Sequence, residues 1–295
     1  MFRVRRLLAP FVLCIALLFS EAQAFTIAWL SDTQNYHNAY KPIFDGMTQW
    51  ISDNRAALDI RFVFHTGDVV GSWSSEDQWR QARESMGILS SASIPFLTVC
   101  GNHDIGYRMN YANFLKYVLS LRPASMSQEY GDTGSRYELF SANGRDYIFM
   151  GIAFSNKGPS EDEVNWINGV LRQYSSRDAI IITHSYLKKS ASYTTQGKAI
   201  FEKIVKANPN VFLVLCGHCR DISYKNVQLD DDGDGNPDRT VYAILSNFQG
   251  SKAGGGGYMR ILDFRDSDIY IYTYSPYYDS REYPKGKTEA TVPLP

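Results

Sequence analysis

The sequence predicts an α/β protein built around a parallel sheet. In the first half of the chain, short apolar runs alternate with amphipathic segments, and this β-then-α order implies right-handed crossovers between parallel strands. The runs are almost wholly apolar, as in strands that are covered on both faces. The expected strands are 25–30, 61–66 and 94–99, and the expected helices lie around 39–54, 76–90 and 109–120.

The second half of the chain is richer in strands. RYELF and DYIFMGI are expected to form a hairpin across Asn143-Gly144. AIIITH and VFLVLC have the pattern of two more buried strands, with an amphipathic helix at 161–174 before them and a helix near 196–206 between them. The three runs that follow, TVYAILSNF, YMRILDF and DIYIYTYS, predict an antiparallel set.

One acidic stretch, DDDGDGNPD at 230–238, could be a calcium loop or a turn. Its alternating oxygen-bearing side chains resemble part of a calcium-binding loop, but the acidic residue that closes such a loop at its twelfth position is missing. A tight solvated turn between two strands accounts for the stretch better.

The first 24 residues have the pattern of a secretory signal peptide. Three arginines precede an apolar run from Leu7 to Ser20, and Ala22-Gln23-Ala24 forms a cleavage site. The run is shorter than the ~20 residues of a membrane span. We therefore expect an exported protein, periplasmic or extracellular, with no transmembrane span after cleavage; an uncleaved anchor is the alternative. One domain is expected over 25–275 and a surface tail over 276–295.

Charge and cysteine content limit the classes of function. The leader holds three of the 30 Lys and Arg and one of the 31 Asp and Glu, so the mature chain carries a formal charge of −3. This balance gives no sign of a nucleic-acid surface, and no protein partner is evident. Cys216-Gly-His-Cys219 is formally a C-x-x-C motif, so thiol redox chemistry is one hypothesis. No helix start follows the motif, which favours a local disulfide or buried thiols; the third mature cysteine is Cys100.

Polar side chains able to bind a metal follow five of the predicted strands. All five histidines of the chain also lie at or next to these strand ends, which scattered core histidines would not do. Since ligands bind beyond the carboxyl ends of strands in open parallel sheets, we expect a common site there. The candidates are Asp32 and Gln34, Asp68, Asn102 and His103, His184, and His218, with His37 and His65 nearby.

GDVV at 67–70, GNHD at 101–104, a histidine after an apolar strand and Gly-His after another occur in this order. In this the chain resembles the calcineurin-like metallophosphoesterases over about residues 25–275. The resemblance implies a four-layer α/β/β/α sandwich of two mixed sheets with a two-metal site at the strand carboxyl ends. It also implies hydrolysis of small phosphate mono- or diesters by metal-bound water. The ligand types suit one or two ions of Mn, Fe or Zn per chain.

The resemblance also implies individual roles. Asp68 would bridge two metals, and Asn102, His184 and His218 would complete the second metal site. Asp32 would belong to the first metal site. His103 would lie near the scissile phosphate and assist the leaving oxygen.

Two positions depart from the family pattern, and both belong to the first metal. Asp32-Thr33-Gln34 stands where Asp-x-His is usual, and Gly217-His218-Cys219-Arg220 stands where Gly-His-x-His is usual. The first interpretation is a mononuclear site in which Arg220 binds phosphate oxygens through its fork. The second is a weaker first metal held by Asp32, Asp68 and the Gln34 oxygen, with His37 or water. The third is a protein that only binds metal or phosphate.

The departures resemble an exported bacterial branch of the family that also lacks the final histidine, which argues against the third interpretation. Simpler roles remain for several residues. Gln34 could only hydrogen-bond at its strand end, Arg220 could form an ion pair with Asp32 or Asp221, and His65 could support a ligand from behind. Three aromatic residues follow the motif strands and could line a pocket: Trp73, Tyr107 and Tyr186.

Overall fold

Two mixed sheets lie at the centre of the protein. The structure is a computed structural model that describes residues 24–121, 128–284 and 288–295. The predicted signal peptide, apart from Ala24, lies outside the described residues. The strands are β1 (Phe25–Leu30), β2 (Ile60–His65), β3 (Phe96–Thr98), β4 (Gln128–Tyr130), β5 (Ser135–Ala142), β6 (Arg145–Ile152), β7 (Asp178–Thr183), β8 (Val211–Cys216), β9 (Asp221–Leu229), β10 (Arg239–Asn247), β11 (Met259–Phe264), β12 (Asp268–Tyr274) and β13 (Glu289–Pro293).

Each sheet combines a block of parallel strands with antiparallel strands: in the first sheet the parallel block reaches one edge, and in the second it lies in the centre. Within the described ranges, the first sheet has the order β13-β12-β11-β1-β2-β3 and the second β4-β5-β6-β7-β8-β10-β9. Strands β1, β2 and β3 are parallel, and β11 joins β1 antiparallel. In the second sheet β6, β7, β8 and β10 are parallel, with β5 and β9 antiparallel at their flanks. The parallel strands therefore deliver their carboxyl ends to one edge of each sheet.

Helices cover the outer face of each sheet. They are α1 (Lys41–Asp53), α2 (Glu76–Ser91), α3 (Asn102–Ile105), α4 (Ala112–Tyr117), α5 (Glu161–Gln173) and α6 (Thr195–Ile200), which continues as a π-helical turn, Phe201–Val205. Residues of α1, α2 and α4 pack on the first sheet, and residues of α5 and α6 pack on the second. No helix in the described ranges is both long and apolar enough to span a membrane.

The two sheets pack face to face on an aromatic core. Phe25, Ile27 and Trp29 of β1 point into this layer, whereas Ala28 and Leu30 point to the helices, which follows the period of two along a strand. Phe149 of β6 meets the rings of two β2 phenylalanines edge to face, at 5.0 and 4.9 Å between centroids. The α/β/β/α sandwich is thus confirmed.

The C-terminal segment departs from the sequence prediction. Within 276–295, β13 pairs antiparallel with β12 from Tyr272↔Glu289 to Asp268↔Pro293, so this stretch is not only a surface tail. Its five residues are mostly exposed, because an edge strand needs only one covered face, and such a strand has little apolar signal in the sequence. The DDDGDGNPD stretch lies in the turn between β9 and β10, as expected.

Candidate metal centre

The carboxyl ends of β1, β2, β7 and β8 meet where the two sheets face each other. Across this junction, the backbone N–H of His218 donates to both carboxylate oxygens of Asp32, at 3.2 Å each. Within the sheets, Asp32 N donates to Gly67 O (3.1 Å), and Gly217 N donates to His184 O (3.0 Å). These backbone bonds fix the loops that present the polar side chains.

Three atoms with lone pairs converge on Nε2 of His184. They are Asn102 Oδ1 at 3.1 Å, His218 Nδ1 at 3.2 Å and Asp68 Oδ2 at 3.3 Å. The other ring nitrogen, Nδ1, lies 2.8 Å from the carbonyl oxygen of Thr66. A carbonyl can only accept, so Nδ1 carries a proton, and Nε2 of the neutral ring presents a lone pair to Asp68 Oδ2 and Asn102 Oδ1, which also only accept; the role of His218 Nδ1 depends on its tautomer. A cation, or a second proton on the ring, would satisfy these facing lone pairs.

The pKa shifts of His184 and Asp68 also indicate that this cluster favours a positive charge. Burial alone would lower the pKa of His184, but the Asp68 carboxylate outweighs it and the pKa rises to about 9. Burial alone would raise the pKa of Asp68, yet the facing His184 and a hydrogen bond from His103 N hold it below its ordinary value. A divalent cation would take the place of the extra proton on His184 and would balance the charge of the Asp68 carboxylate.

Asp32 and Gln34 form the wall on the other side of Asp68. Burial raises the pKa of Asp32 to about 7, although His184 and hydrogen bonds from Ser31 and His218 N oppose the shift. The Gln34 amide nitrogen donates to Asp68 Oδ2 at 3.2 Å. Its amide oxygen is buried and has no hydrogen-bond partner within the described residues. A buried acceptor without a donor is costly, and a cation beside Asp68 would satisfy it.

Backbone geometry brings these loops unusually close. Asp32, Asp68 and His218 all have a left-handed backbone, with φ of 51°, 53° and 70°. Residues other than glycine rarely adopt it, and such positions cluster at functional sites. Gly217 is required by close approach, since a Cβ there would lie 2.2 Å from Asp32 Oδ2.

Two buried side chains hold the loops from behind. Gly67 N donates to His65 Nδ1 (3.1 Å), so His65 Nε2 carries the proton and donates to Thr33 Oγ1 at 3.0 Å. Burial lowers the pKa of His65 to about 3, so the ring is neutral. Asp104 accepts from Val70 N (3.0 Å) and Gly101 N (2.7 Å). Asp104 was missed as a positioning residue, although it is the last letter of the GNHD motif.

His103 and Arg220 lie at the solvent side of the centre. The His103 backbone N–H donates to Asp68 Oδ1 at 2.9 Å, and its ring Nδ1 lies 3.0 Å from Gly71 O. Arg220 is exposed, and its Cδ lies 3.3 Å from where a Cβ on Gly250 would stand. Asp221, suggested as its ion-pair partner, pairs with Lys189 at 2.6 Å.

Other candidates lie away from the cluster. His37 lies at the rim with its ring bonded to the Asn38 side chain (3.1 Å). Tyr186 is buried, with its ring packed against Tyr193, so it lines no pocket. Trp73 and Tyr107 pack edge to face against each other.

The cysteines do not have the setting of redox thiols. Cys100, Cys216 and Cys219 are all free. Burial raises the pKa of Cys216 to about 12 and also raises the pKa of Cys219. A reactive thiol needs a lowered pKa, because the thiolate is the nucleophile. The C-x-x-C hypothesis therefore loses its chemical basis.

The fold and the cluster define a metallophosphoesterase. A sequence model described as calcineurin-like phosphoesterase matches residues 25–219, and the chain belongs to this family. Members carry a two-metal site, and the convergent side chains of Asp68, His184 and His218 could hold a metal ion of such a site.

Particular relatives agree with this assignment. The chain is 40% identical over 265 residues to the uncharacterized protein YvnB of Bacillus subtilis, covering 88% of this chain but only about a fifth of that relative's length (20%). Among solved structures it is similar to purple acid phosphatase PPD1 from yellow lupin (TM-score 0.61, 13% identity, 92% of this chain and 54% of that one). It is also similar to GAP50, the anchor in the inner membrane complex of Plasmodium (TM-score 0.60, 14% identity, 92% and 89%). At these identities the two structures show the fold alone.

Proposed function

We propose that the protein hydrolyses phosphate mono- or diesters at a metal centre whose two half-sites bind with unequal strength. The supporting observation is the convergence of three lone-pair atoms on His184 Nε2 within 3.1–3.3 Å. Bound metal ions would polarise the phosphoryl oxygen and lower the pKa of a water ligand.

The tight half-site consists of Asp68, Asn102, His184 and His218. Two imidazole nitrogens and two oxygens suit Mn²⁺, Fe²⁺ or Zn²⁺ rather than Ca²⁺, which prefers oxygen ligands alone. The bond from His184 Nδ1 to Thr66 O keeps the ring in the tautomer that offers Nε2 to the ion.

The weak half-site consists of Asp32, Gln34 and the shared Asp68. Its unsatisfied acceptor, Gln34 Oε1, would become a ligand after a small rotation of the amide. Because every donor here is oxygen, this half-site should favour Mn²⁺ or Mg²⁺ over Zn²⁺. Of the interpretations left open by the sequence, a weak first metal therefore has more support than a mononuclear site.

Three residues would contact the substrate. His103 donates its Nδ1 proton to Gly71 O, so a protonated ring can deliver the Nε2 proton to the leaving oxygen. Asn102 would hold the metal through Oδ1 and offer its amide N–H groups to the phosphate. Arg220, exposed beside Gly250, would bind non-bridging phosphate oxygens from the rim.

The test is hydrolysis of p-nitrophenyl phosphate and bis-p-nitrophenyl phosphate by the protein loaded with Mn²⁺ or Zn²⁺, with and without chelator. Turnover that a chelator abolishes is expected. His184→Asn keeps an amide N–H for Thr66 O but removes Nε2, so it should lose both activity and tight metal binding. Gln49→Asn, an exposed position on α1 whose amide bonds Asp53, is the control and should keep both. Stoichiometric metal binding without turnover would instead identify a silent metal-binding member of the family.

We further propose that residues 1–24 are a cleaved signal peptide and that the catalytic domain acts in the periplasm or outside the cell. The A-x-A site before Phe25 and the start of β1 at Phe25 support this. N-terminal sequencing of the secreted protein should give Phe25 as its first residue. A protein that keeps its leader in the membrane fraction would contradict cleavage.

A further inference from the structure

Tyr107 is the most exposed of the large apolar side chains in the described ranges, at 79%. It is nevertheless held in place. Its ring packs edge to face on Trp73, with 6.3 Å between centroids and 88° between planes. Its hydroxyl accepts a hydrogen bond from Arg108 Nε at 3.1 Å. A large ring held rigidly in solvent is suited to stack on a ligand, because little conformational entropy remains to be lost.

The Trp73–Tyr107 pair is fastened to the helix that carries the catalytic residues. The Trp73 carbonyl accepts from Trp79 Nε1 (2.8 Å) and Asn113 Nδ2 (3.0 Å). The Trp73 ring lies so close to Gly106 that a Cβ there would be 2.2 Å from its Cδ1. Gly106 directly follows α3, so the indole rests on the end of this short helix.

His103 joins the same assembly at the other end of the helix. Its ring Nδ1 bonds Gly71 O, two residues before Trp73. Tyr107 follows His103 by four residues, which limits their Cα separation to at most about 14 Å. The aromatic pair is therefore joined, through the loop of Gly71 and the end of α3, to the segment that carries His103.

We propose that Trp73 and Tyr107 form a stacking platform for a planar ring in the leaving group, so that the substrates are aryl or nucleoside phosphate esters rather than alkyl ones. This inference rests on the proposed phosphoesterase function. The Arg108 guanidinium lies over one face of the Tyr107 ring, 5.5 Å from its centroid, so a ligand ring would stack on the other face, close to a cation that attracts an electron-rich ring.

The size of the platform favours a small ligand over a protein partner. Ser74 and Arg108, which directly follow the two ring residues in the chain, are exposed and polar, so neither ring is part of a continuous apolar run. Stable protein interfaces bury about 800 Å² on each partner, whereas two partly packed rings offer only a fraction of that. One planar ring fits the available area.

The experiment compares three esters on the metal-loaded protein: phenyl phosphate, a nucleoside 5′-monophosphate and glycerol 3-phosphate. Tyr107→Ala removes the exposed ring and Tyr107→Phe keeps it. Tyr270→Ala is the control, since Tyr270 also has an arginine over its ring (Arg265, 4.5 Å). Tyr270 pairs with Asp263, which lies opposite the amino end of β1, away from the metal centre.

Tyr107→Ala should lower kcat/KM about tenfold for a ring-bearing ester, chiefly through a higher KM, and leave glycerol 3-phosphate unchanged. Tyr107→Phe and Tyr270→Ala should behave like wild type. A loss with phenyl phosphate alone or with the nucleotide alone would identify which ring the platform takes. An equal effect of Tyr107→Ala on all three esters, or none, would overturn the platform while the hydrolase stands. Failure of wild type to cleave any ester with any metal would overturn the hydrolase itself.

Discussion

Removing the metal should make the folding stability of this protein depend on pH through one histidine. In the metal-free fold, His184 has a pKa of about 9, against an ordinary value of 6.5. A histidine whose pKa is raised by folding contributes stability that is complete below 6.5 and is lost as pH rises through about 9. The difference between the two pKa values corresponds to about 3 kcal/mol.

The assay is urea unfolding of chelator-treated protein at pH 6.5 and at pH 9. Wild type should lose about 3 kcal/mol more between these values than His184→Asn, which has no titratable ring. Subtracting the variant is needed because burial raises the pKa of Asp104 to about 8 and that of Asp32 to about 7, so these two carboxyls also destabilise the fold as pH rises. Saturation with metal should abolish the difference, because the ion replaces the proton.

Equal pH slopes in wild type and His184→Asn would refute this reasoning. They would mean that the His184 ring stays neutral in the metal-free fold. The three atoms around Nε2 would then not behave as a set of lone pairs awaiting a cation. The assignment of the tight half-site would lose its main support.

Four further predictions concern single positions around the centre. Gly217→Ala should lower kcat/KM and metal content by more than about tenfold. The control is Gly169→Ala, because nothing lies within 4 Å of the new Cβ. It should keep both kcat/KM and metal content and should stabilise the fold by up to about 1 kcal/mol in urea unfolding. Gln34→His should raise the affinity of the weak half-site for Zn²⁺ relative to Mn²⁺ in calorimetric titration; unchanged selectivity would exclude Gln34 as a ligand. Arg220→Ala should raise KM with little change in kcat. Arg220→Lys should raise KM less than Arg220→Ala does, because a lysine replaces the charge but not the fork of the guanidinium. Cys219→Ser should leave turnover and metal content unaltered, and lost turnover with metal retained would revive the redox hypothesis.

The strand ends that carry the centre could be predicted from sequence, because polar residues after buried parallel strands meet at one edge of a sheet. This rule alone does not bring Asp68 and His184 together, because they follow strands of different sheets. The two-sheet arrangement itself came from the family resemblance, since wholly apolar strands such as β7 fit a single sheet equally well.

The tautomers and protonation states at the centre could not be predicted, because they depend on backbone groups that are the same whatever the residue type. The tautomer of His184 is set by the carbonyl of Thr66, and the side chain of Thr66 gives no sign of this role. The conformation of Gly217 to Arg220 also required the structure. The period of two along a strand would put His218 and Arg220 on one face, but β8 ends at Cys216. The next residues form a tight turn, with Cys219 N bonded to Gly217 O at 2.9 Å.

Gln34 and Arg220 both stand where a histidine is usual in the family, but the structure places them in different surroundings. Gln34 is 4% exposed and bonded to Asp68, so under the proposed function it would offer the first metal an oxygen in place of a nitrogen. Arg220 is exposed beyond the turn that follows β8, where its guanidinium would bind the phosphate outside the coordination shell. A partly occupied first metal site would supply less positive charge to the substrate, and an arginine at the rim would add charge to the same region. The two residues would then compensate each other electrostatically, and Gln34→His alone should not reproduce a site that has histidines at both positions.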